Sequence, residues 1–476
     1  MTAYEALTPD VIQEFFDIAG RRVVVGEAIN PDYAHDAMPI YGIGMPEVTI
    51  DVKTTEEISA ILKICSTHHI PVTVRGAGTG LAGGCTPVQG GVVLCTVLMN
   101  RILGYDEANR NVRVQPGVLL ADLQKDAAAH GLFYPPDPGE KYATIGGNVS
   151  TNAGGMRSLK YGTTRDYVLA LTVVLPSGEI IRLGSPVSKS SAGYSLLQLM
   201  VGSEGTLGII TEITLKLIAP PKCHCSLIVP FRTLEEAVRA VPALRHSEAV
   251  PQAIEFFEKE MLTAIEAYLG TSVFPKEIEG ETVGAYLLVT LDAASNDLLD
   301  ESVMTASQLL LDASAMDVLV ADVPMYLDKT WAARSAFFES LEYQYNLIDQ
   351  CDVVVPVAAL PEFAVYVDGL RAALPFDVHM FGHAGDGNIH IYACTRGRRG
   401  SREDLFAFKQ AAAAFMEQLY AKAAALDGQV SGEYGIGFGK ASYLQKSLDP
   451  VQIRIMQGIK EVFDPGLILN PNKICY

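Results

Sequence analysis

At 476 residues, with 49% hydrophobic and 19% charged side chains, the chain is too apolar to be disordered and, at about 150 residues per domain, long enough for about two to four units. A formal net charge of −19 excludes a broad nucleic-acid face, whose affinity rests on Lys and Arg displacing counterions, and disfavours anionic membrane surfaces. Eight cysteines, at 65, 85, 95, 223, 225, 351, 394 and 475, form no CxxC pair, so neither a disulfide scaffold nor an iron–sulfur cluster of the chain's own is expected.

The N-terminal MTAYEALTPDVIQEFF has no basic stretch followed by an apolar core, and no later apolar run reaches the roughly 18 residues of a membrane span. A soluble cytoplasmic protein without a transmembrane anchor is expected. Residues 1–45 read as helical, then irregular. PEVTIDV and IPVTVR read as strands around TTEEISAILKICSTHH, whose Thr54 and Glu57 have the spacing of a capping box. Short strands follow in GGVVLCTVL, NVRVQPGV, LALTVVLPSG with GEIIRLG, and GIITEITLKLI, and the double proline at 220–221 marks a boundary.

Beyond it come strand CHCSLIVPF, a helix from Thr233, strand YLLVTLD, a helix from about Ala294, strand DVLVAD and a long helix from about Met325. Strand CDVVVP, a helix from Leu360, a hairpin bearing two histidines and a helix from about Glu403 complete the pattern. Strands separated by single helices predict one sheet covered on one face. Cys223 and Cys225 fall on the first of these strands and read as thiols of a strand, not as metal ligands.

Three glycine-rich patches lie in the first region. In Arg75-Gly76-Ala77-Gly78-Thr79-Gly80, continuing to Gly83 and Gly84, the spacing Gly78-x-Gly80-x-x-Gly83 matches a dinucleotide fingerprint. Yet Gly84, Pro87, Gly90 and Gly91 follow where a helix should open, and no acidic residue stands between Glu57 and Asp106 to hold a ribose. Two readings remain: a loop of bare N–H groups beside Arg75 that suits a pyrophosphate, or turn glycines alone. The second patch, Ala143 to Gly155, follows Tyr134-Pro-Pro-Asp-Pro-Gly139 and reads as poor core and poor helix, but lets backbone approach a flat ligand. The third is Gly202-Ser-Glu-Gly-Thr-Leu-Gly208. Together they point to a large ligand.

RGAGTGLAGG, PPDPGEKYATIGGNVSTNAGG, KYGTTRDYV, GSEGTLGIIT, GHAGDGNIH, SGEYGIG and FDPGLILNP, in this order from Glu47 to Cys475, resemble the FAD-dependent 2-hydroxyacid dehydrogenases of the vanillyl-alcohol-oxidase-type flavoproteins. That group includes D-lactate dehydrogenases, the FAD subunit of glycolate oxidase and D-2-hydroxyglutarate dehydrogenase. The likeness is greatest to D-lactate dehydrogenases that pair with an electron-transferring flavoprotein. It implies an α+β fold: a two-part FAD-binding domain at 1–220, an α/β cap at 221–430 with a helix-covered, largely antiparallel sheet, and a C-terminal segment, 431–476, that completes the site and packs on the FAD domain. The resemblance implies that FAD lies on Arg75, Gly76, Ala77, Gly78, Thr79 and Gly80 (pyrophosphate) and on Pro136, Asp137, Thr144, Gly146, Gly147, Asn148, Thr151, Asn152, Gly154 and Gly155 (isoalloxazine). Glu204, Gly208, Ile210 and Asn472 complete the cofactor set. Some such flavoproteins tether FAD through a His in the first glycine loop; residues 75–84 have none, which implies non-covalent FAD.

In His383-Ala-Gly-Asp-Gly-Asn-Ile-His390, a turn at Gly385 to Asn388 would pair Ala384 with Ile389. His383 would then stand opposite His390, with Cβ atoms about 5 Å apart, close enough to share one ion. Glu433 would complete a ligand set that keeps positions open, and the resemblance implies these three as ligands of a divalent metal: Zn, Fe or Mn. It also implies that Arg334, in Trp331-Ala-Ala-Arg334, grips the substrate carboxylate as a fork. One position departs from the pattern: the family's usual SGEHGIG has a general-base His where this chain has Tyr434. A free phenol, with a pKa near 10, is a poor base at neutral pH unless a nearby cation lowers it. Lys440 and Tyr443 lie close in sequence without being singled out. The basic turn with Arg396, Arg398, Arg399 and Arg402 reads as a solvated loop.

The implied reaction is oxidation of a small D-2-hydroxy acid, D-lactate foremost. The metal assists loss of the hydroxyl proton to Tyr434, hydride passes to flavin N5, and the electrons leave to an electron-transferring flavoprotein or an iron–sulfur subunit. The alternatives are an oxidase using oxygen, or a flavin-binding protein with reduced or no turnover because of Tyr434.

Overall fold

The computed structural model describes residues 4–322, 324–398 and 400–475. The chain forms two units, one of Met1–Gly154, Thr163–Pro220 and Glu433–Tyr476, the other of Gly155–Gly162 and Pro221–Gly432.

In the first unit, Thr8 caps helix Pro9–Ala19 by accepting from the Val11 N–H, and Pro9 costs nothing where no backbone donor is needed. A four-stranded sheet follows: β1 (Val23–Val25), β2 (Val48–Asp51), β3 (Val72–Arg75) and β4 (Val92–Cys95), in the order β1-β2-β4-β3, with β2, β4 and β3 parallel and β1 antiparallel. Helix Thr55–Thr67 buries Ile58, Ile61 and Leu62 against Ile50, Val72 and Leu94. Each such side chain contributes about 1.5–3 kcal/mol through its burial. Only half of the expected capping box forms. Thr54 accepts from the Glu57 N–H, but the Glu57 carboxylate turns to the Lys53 N–H and to Arg22, 2.6 Å away. An arginine fork offers more than one returning N–H.

The second sheet of this unit is antiparallel: β5 (Ile102–Asp106), β6 (Asn111–Val114), β7 (Val168–Val174), β8 (Ile180–Gly184) and β9 (Ile209–Lys216), ordered β5-β6-β9-β7-β8. The stretch expected to make poor helix and poor core is instead helix Ile145–Thr151, with Ile145 and Val149 fully buried. Its two glycines carry the usual helical cost, offset by packing. A Cβ on Gly146 would stand 2.5 Å from Pro116, so only glycine lets this helix approach that loop.

The second unit is built on seven antiparallel strands. They are β10 (Cys223–Phe231), β11 (Ala253–Glu258), β14 (Ala285–Ala293), β15 (Leu319–Ala321), β16 (Leu347–Val354), β17 (Asp377–His383) and β18 (Asn388–Thr395). Their order is β15-β10-β14-β11-β17-β18-β16; a two-residue hairpin, β12 (Glu277–Ile278) with β13 (Glu281–Thr282), stands apart. Contrary to the expectation of one covered face, β10 and β14 are buried along nearly their whole length on both faces. On one face Phe257, Tyr286, Phe337, Phe381 and Tyr392 form a ring cluster beneath helices Lys259–Leu269 and Phe337–Gln344. Helix Leu234–Arg245 packs on β10, β11 and β14. The expected long helix from Met325 is two, Pro324–Ser335 and Phe337–Gln344, separated at Ala336. In the basic turn, Arg398 pairs with Asp404 at 3.1 Å, an exposed pair of little energetic weight, and Arg399 lies outside the described residues.

Candidate active site and cofactor residues

The cofactor residues expected at 75–80 begin at the last residue of β3. Arg75 does not reach outward: its Nη1 donates to the His35 carbonyl at 2.7 Å, and the guanidinium lies 5.2 Å from the Tyr33 ring centre. It passes under Gly78 (φ +78°), where any Cβ would collide with it. A Cβ on Gly76 would stand 2.3 Å from the Thr144 hydroxyl, so the first two glycine patches meet. No helix opens at Gly83, which removes the dinucleotide-fingerprint reading. The Gly83 N–H donates instead to buried Asp36 at 2.5 Å. Burial raises the Asp36 carboxyl to about 6, against the pull of the Met38, Gly83 and Gly84 N–H groups and Arg75. Asp36, well before the motif in sequence, is a loop-organising residue that sequence reasoning missed.

In the second patch, Thr144 caps the helix by accepting from Gly147 N–H at 3.3 Å, placing Gly146, Gly147 and Asn148 in its first turn. Thr151 Oγ1 returns to the Gly147 carbonyl, and Asn152, at φ +52°, ends the helix while accepting from Thr163 Oγ1 and Arg165 N–H. The Pro136 carbonyl accepts from Gln124, and buried Asp137 pairs with Lys141. Gly154 closes a segment of the first unit, whereas Gly155 groups with the second.

Glu204, expected near the cofactor, uses its buried carboxylate to accept from Ile436 N–H (2.8 Å) and Gly437 N–H (2.7 Å), clamping the loop after Glu433. Burial raises its pKa, while those two N–H groups, Lys440 and Lys473 oppose the shift. Gly208 packs within 2.5 Å of Val173 if given a Cβ, and Ile210 is a buried strand residue paired with Val173. Asn472 accepts from Gln89 at 2.7 Å. Its neighbour Asn470 donates to the carbonyls of Gly84 and Glu204, tying the first and third patches together. Lys473 donates to Thr86 O, and burial lowers its amine to about 8.

The histidine hairpin forms with a different register. His383 pairs with Asn388, and His390 stands opposite Phe381. The turn is Ala384–Gly387, of the expected four-residue length but one residue earlier, because Gly387 takes φ +74° and closes on the Ala384 carbonyl. A register shift of two residues keeps side-chain parity, so both imidazoles still share a face, diagonally rather than directly. Their ring centres are 5.2 Å apart and nearly perpendicular. His383, His390 and Glu433, which follows directly on Gly432, offer ligand atoms that all lie within 4.8 Å of one another.

Two buried carboxylates stand behind the histidines. Glu255 on β11, the strand absent from the sequence reading, is the direct cross-strand partner of His383 and receives its Nδ1 at 2.7 Å. Asp352 on β16 lies 3.4 Å from His390 Nδ1 and accepts from Asn388 Nδ2, Ser431 Oγ and the Gly432 N–H. A carboxylate cannot donate, so His383 Nδ1 carries the proton and its Nε2 keeps the lone pair. Arg334, in the last turn of its helix, is buried, with Nε and Nη2 both on Glu255 Oε2 at 2.8 and 2.5 Å. The Phe337 and Phe381 rings lie 4.9 and 5.3 Å from its guanidinium. Burial alone would raise the Glu255 carboxyl; His383 and Arg334 outweigh it and hold its pKa below the ordinary value. Tyr434 is partly buried, with the Nζ of buried Lys440 5.4 Å from its ring centre.

A family model described as "FAD linked oxidases, C-terminal domain" matches residues 220–474, and one described as "FAD binding domain" matches 46–184. The chain belongs to the FAD-linked oxidase family. Within it, this is an FAD-dependent oxidoreductase of the D-lactate and 2-hydroxyacid dehydrogenase group. A D-lactate dehydrogenase of Anaerostipes hadrus is 54% identical, over 99% of this chain and 98% of that one. The glycolate oxidase subunit GlcD of Bacillus subtilis (strain 168) is 36% identical, over 98% and 97%. Among solved structures, p-cresol methylhydroxylase superposes with a TM-score of 0.79, 18% identity and coverage of 99% and 98%, a likeness of fold alone.

Proposed function

We propose that this protein oxidises a small D-2-hydroxy acid, D-lactate foremost, to the 2-oxo acid, with non-covalent FAD and a divalent ion (Zn, Fe or Mn) on His383, His390 and Glu433. The observation that carries the reading is the donor set itself: two imidazoles and a carboxylate whose ligand atoms lie within 4.8 Å of one another, with Glu255 on His383 Nδ1 and buried Asp352 3.4 Å from His390 Nδ1. That set fits a divalent ion with open coordination positions. When bound, such an ion lowers the pKa of a hydroxyl it ligates, as it takes water from 15.7 toward about 7, and FAD takes up the two electrons and the α-hydrogen.

The chain's own groups do the rest. Arg334 engages Glu255 through Nε and Nη2, and we assign Nη1 to the substrate carboxylate. The Phe337 and Phe381 rings beside it exclude water and suit a short apolar side chain such as the lactate methyl. Tyr434 receives the hydroxyl proton, with the Lys440 cation facing its ring. The electrons pass to a protein acceptor in the cytoplasm, an electron-transferring flavoprotein before an iron–sulfur subunit; among the described residues no helix is long and apolar enough to cross a membrane.

Anaerobic mixing with D-lactate, L-lactate, glycolate and D-2-hydroxyglutarate tests the reading. Flavin absorbance is expected to bleach fastest with D-lactate and to recover on adding electron-transferring flavoprotein. No bleaching with any of the four contradicts it. Peroxide formed in air at the rate of substrate loss would identify an oxidase instead.

A further inference from the structure

We infer that Glu255 is a positioning residue shared by the substrate arginine and the first metal-ligand histidine: one buried carboxylate fixes the Arg334 fork and selects the His383 tautomer that can bind a metal. This rests on the metal reading above and adds to it a residue that touches neither metal nor substrate. Glu255 is fully buried at the centre of the sheet, directly across from His383, and Arg334 descends on the same carboxylate from its helix. Both carboxylate oxygens lie within 3.0 Å of His383 Nδ1, while Oε2 also accepts both Arg334 N–H groups.

Neither neighbour is interchangeable with a generic polar contact. Arg334 can only donate, and the Glu255 carboxylate, which takes both of its N–H groups, can only accept. His383 must therefore donate through Nδ1, which leaves the lone pair on Nε2. Gln at position 255 would break this logic without changing volume. Its single oxygen would be claimed by Arg334, and its NH2 would then confront Nδ1. That contact is satisfied only if Nδ1 accepts and the proton moves to Nε2, which removes the ligand lone pair. Asp at the same position keeps two acceptor oxygens on a shorter arm.

The test measures Zn2+ affinity of the FAD-loaded protein by competition with a chelator, for wild type, Glu255→Gln, Glu255→Asp and His383→Ala, each checked for an unchanged thermal midpoint. Glu255→Gln is expected to bind Zn2+ about 10- to 100-fold more weakly than wild type, the range for a lost outer partner of a ligand histidine. Glu255→Asp should recover most of the affinity. Wild-type affinity in Glu255→Gln, while His383→Ala abolishes binding, overturns the role of Glu255 and leaves the metal site standing. Equal losses in the Gln and Asp variants with lowered midpoints would show a packing role only and also overturn it. A wild-type protein that binds no Zn2+, or binds it undiminished in His383→Ala, overturns both readings.

Discussion

The two units hold their functional groups by opposite means. In the first, the positions we propose for the cofactor are largely backbone, and Gly76, Gly78 and Gly146 sit where a Cβ would strike Thr144, Arg75 or Pro116. The charged side chains there mostly hold loops, Arg75 on His35, Asp36 on Gly83 and Glu204 on Ile436 and Gly437. In the second unit the chemistry we propose is carried by charged and titratable side chains sunk into a buried sheet, beside acids far away in sequence: Glu255 for Arg334 and His383, Asp352 for His390 and Ser431. A backbone site tolerates side-chain change and fails when a glycine is replaced; a side-chain site does the reverse.

The largest effect that sharpens this contrast is at the ligands. His383→Ala or Glu433→Gln should lower kcat/KM by about 10³-fold or more, since a Lewis acid is worth several kcal/mol, with FAD content unchanged by absorbance. Tyr434→Phe should lower kcat by about 10²- to 10⁴-fold if the phenol takes the proton, and Tyr434→His should restore it; steady-state rates decide. Arg334→Lys keeps the charge but loses the fork, and a loss of about 10- to 100-fold in kcat/KM is expected, mainly in KM. In the first unit, Gly78→Ala is expected to cost about 1–3 kcal/mol at a φ of +78° and to release FAD on gel filtration, although no functional side chain is removed.

The smallest effect is a pH dependence. The Asp36 carboxyl is raised to about 6 in the fold against an ordinary 3.8, so its protonated form is favoured there. Its stabilising contribution is complete below the unfolded value and is lost as pH rises through about 6. Asp36→Asn should therefore flatten the fall of the thermal midpoint between about pH 4 and 6.

What was legible in the sequence follows the same division. Glycine patches announce themselves because a backbone site needs contiguous small residues, and the hairpin announced its two histidines through turn chemistry. Its register did not, because the choice between turns rests on Gly387 fitting against the Val355 carbonyl, a contact from another segment. Glu255 was hidden because AIEFFE runs without a break into helix Lys259–Leu269 and reads as part of it; the signal available was two acids in an aromatic strand. Helix Ile145–Thr151 was hidden because its glycines answer to Pro116 rather than to helix propensity.

The central claim is that the side-chain site works through an ion on His383, His390 and Glu433. The most direct test is the anaerobic rate of flavin reduction by D-lactate in protein stripped by chelator and then reloaded with one divalent ion per chain. The account predicts that stripped protein keeps its yellow colour and is not reduced, that reloading restores reduction, and that His383→Ala cannot be restored. Reduction at the same rate with and without the ion would contradict it.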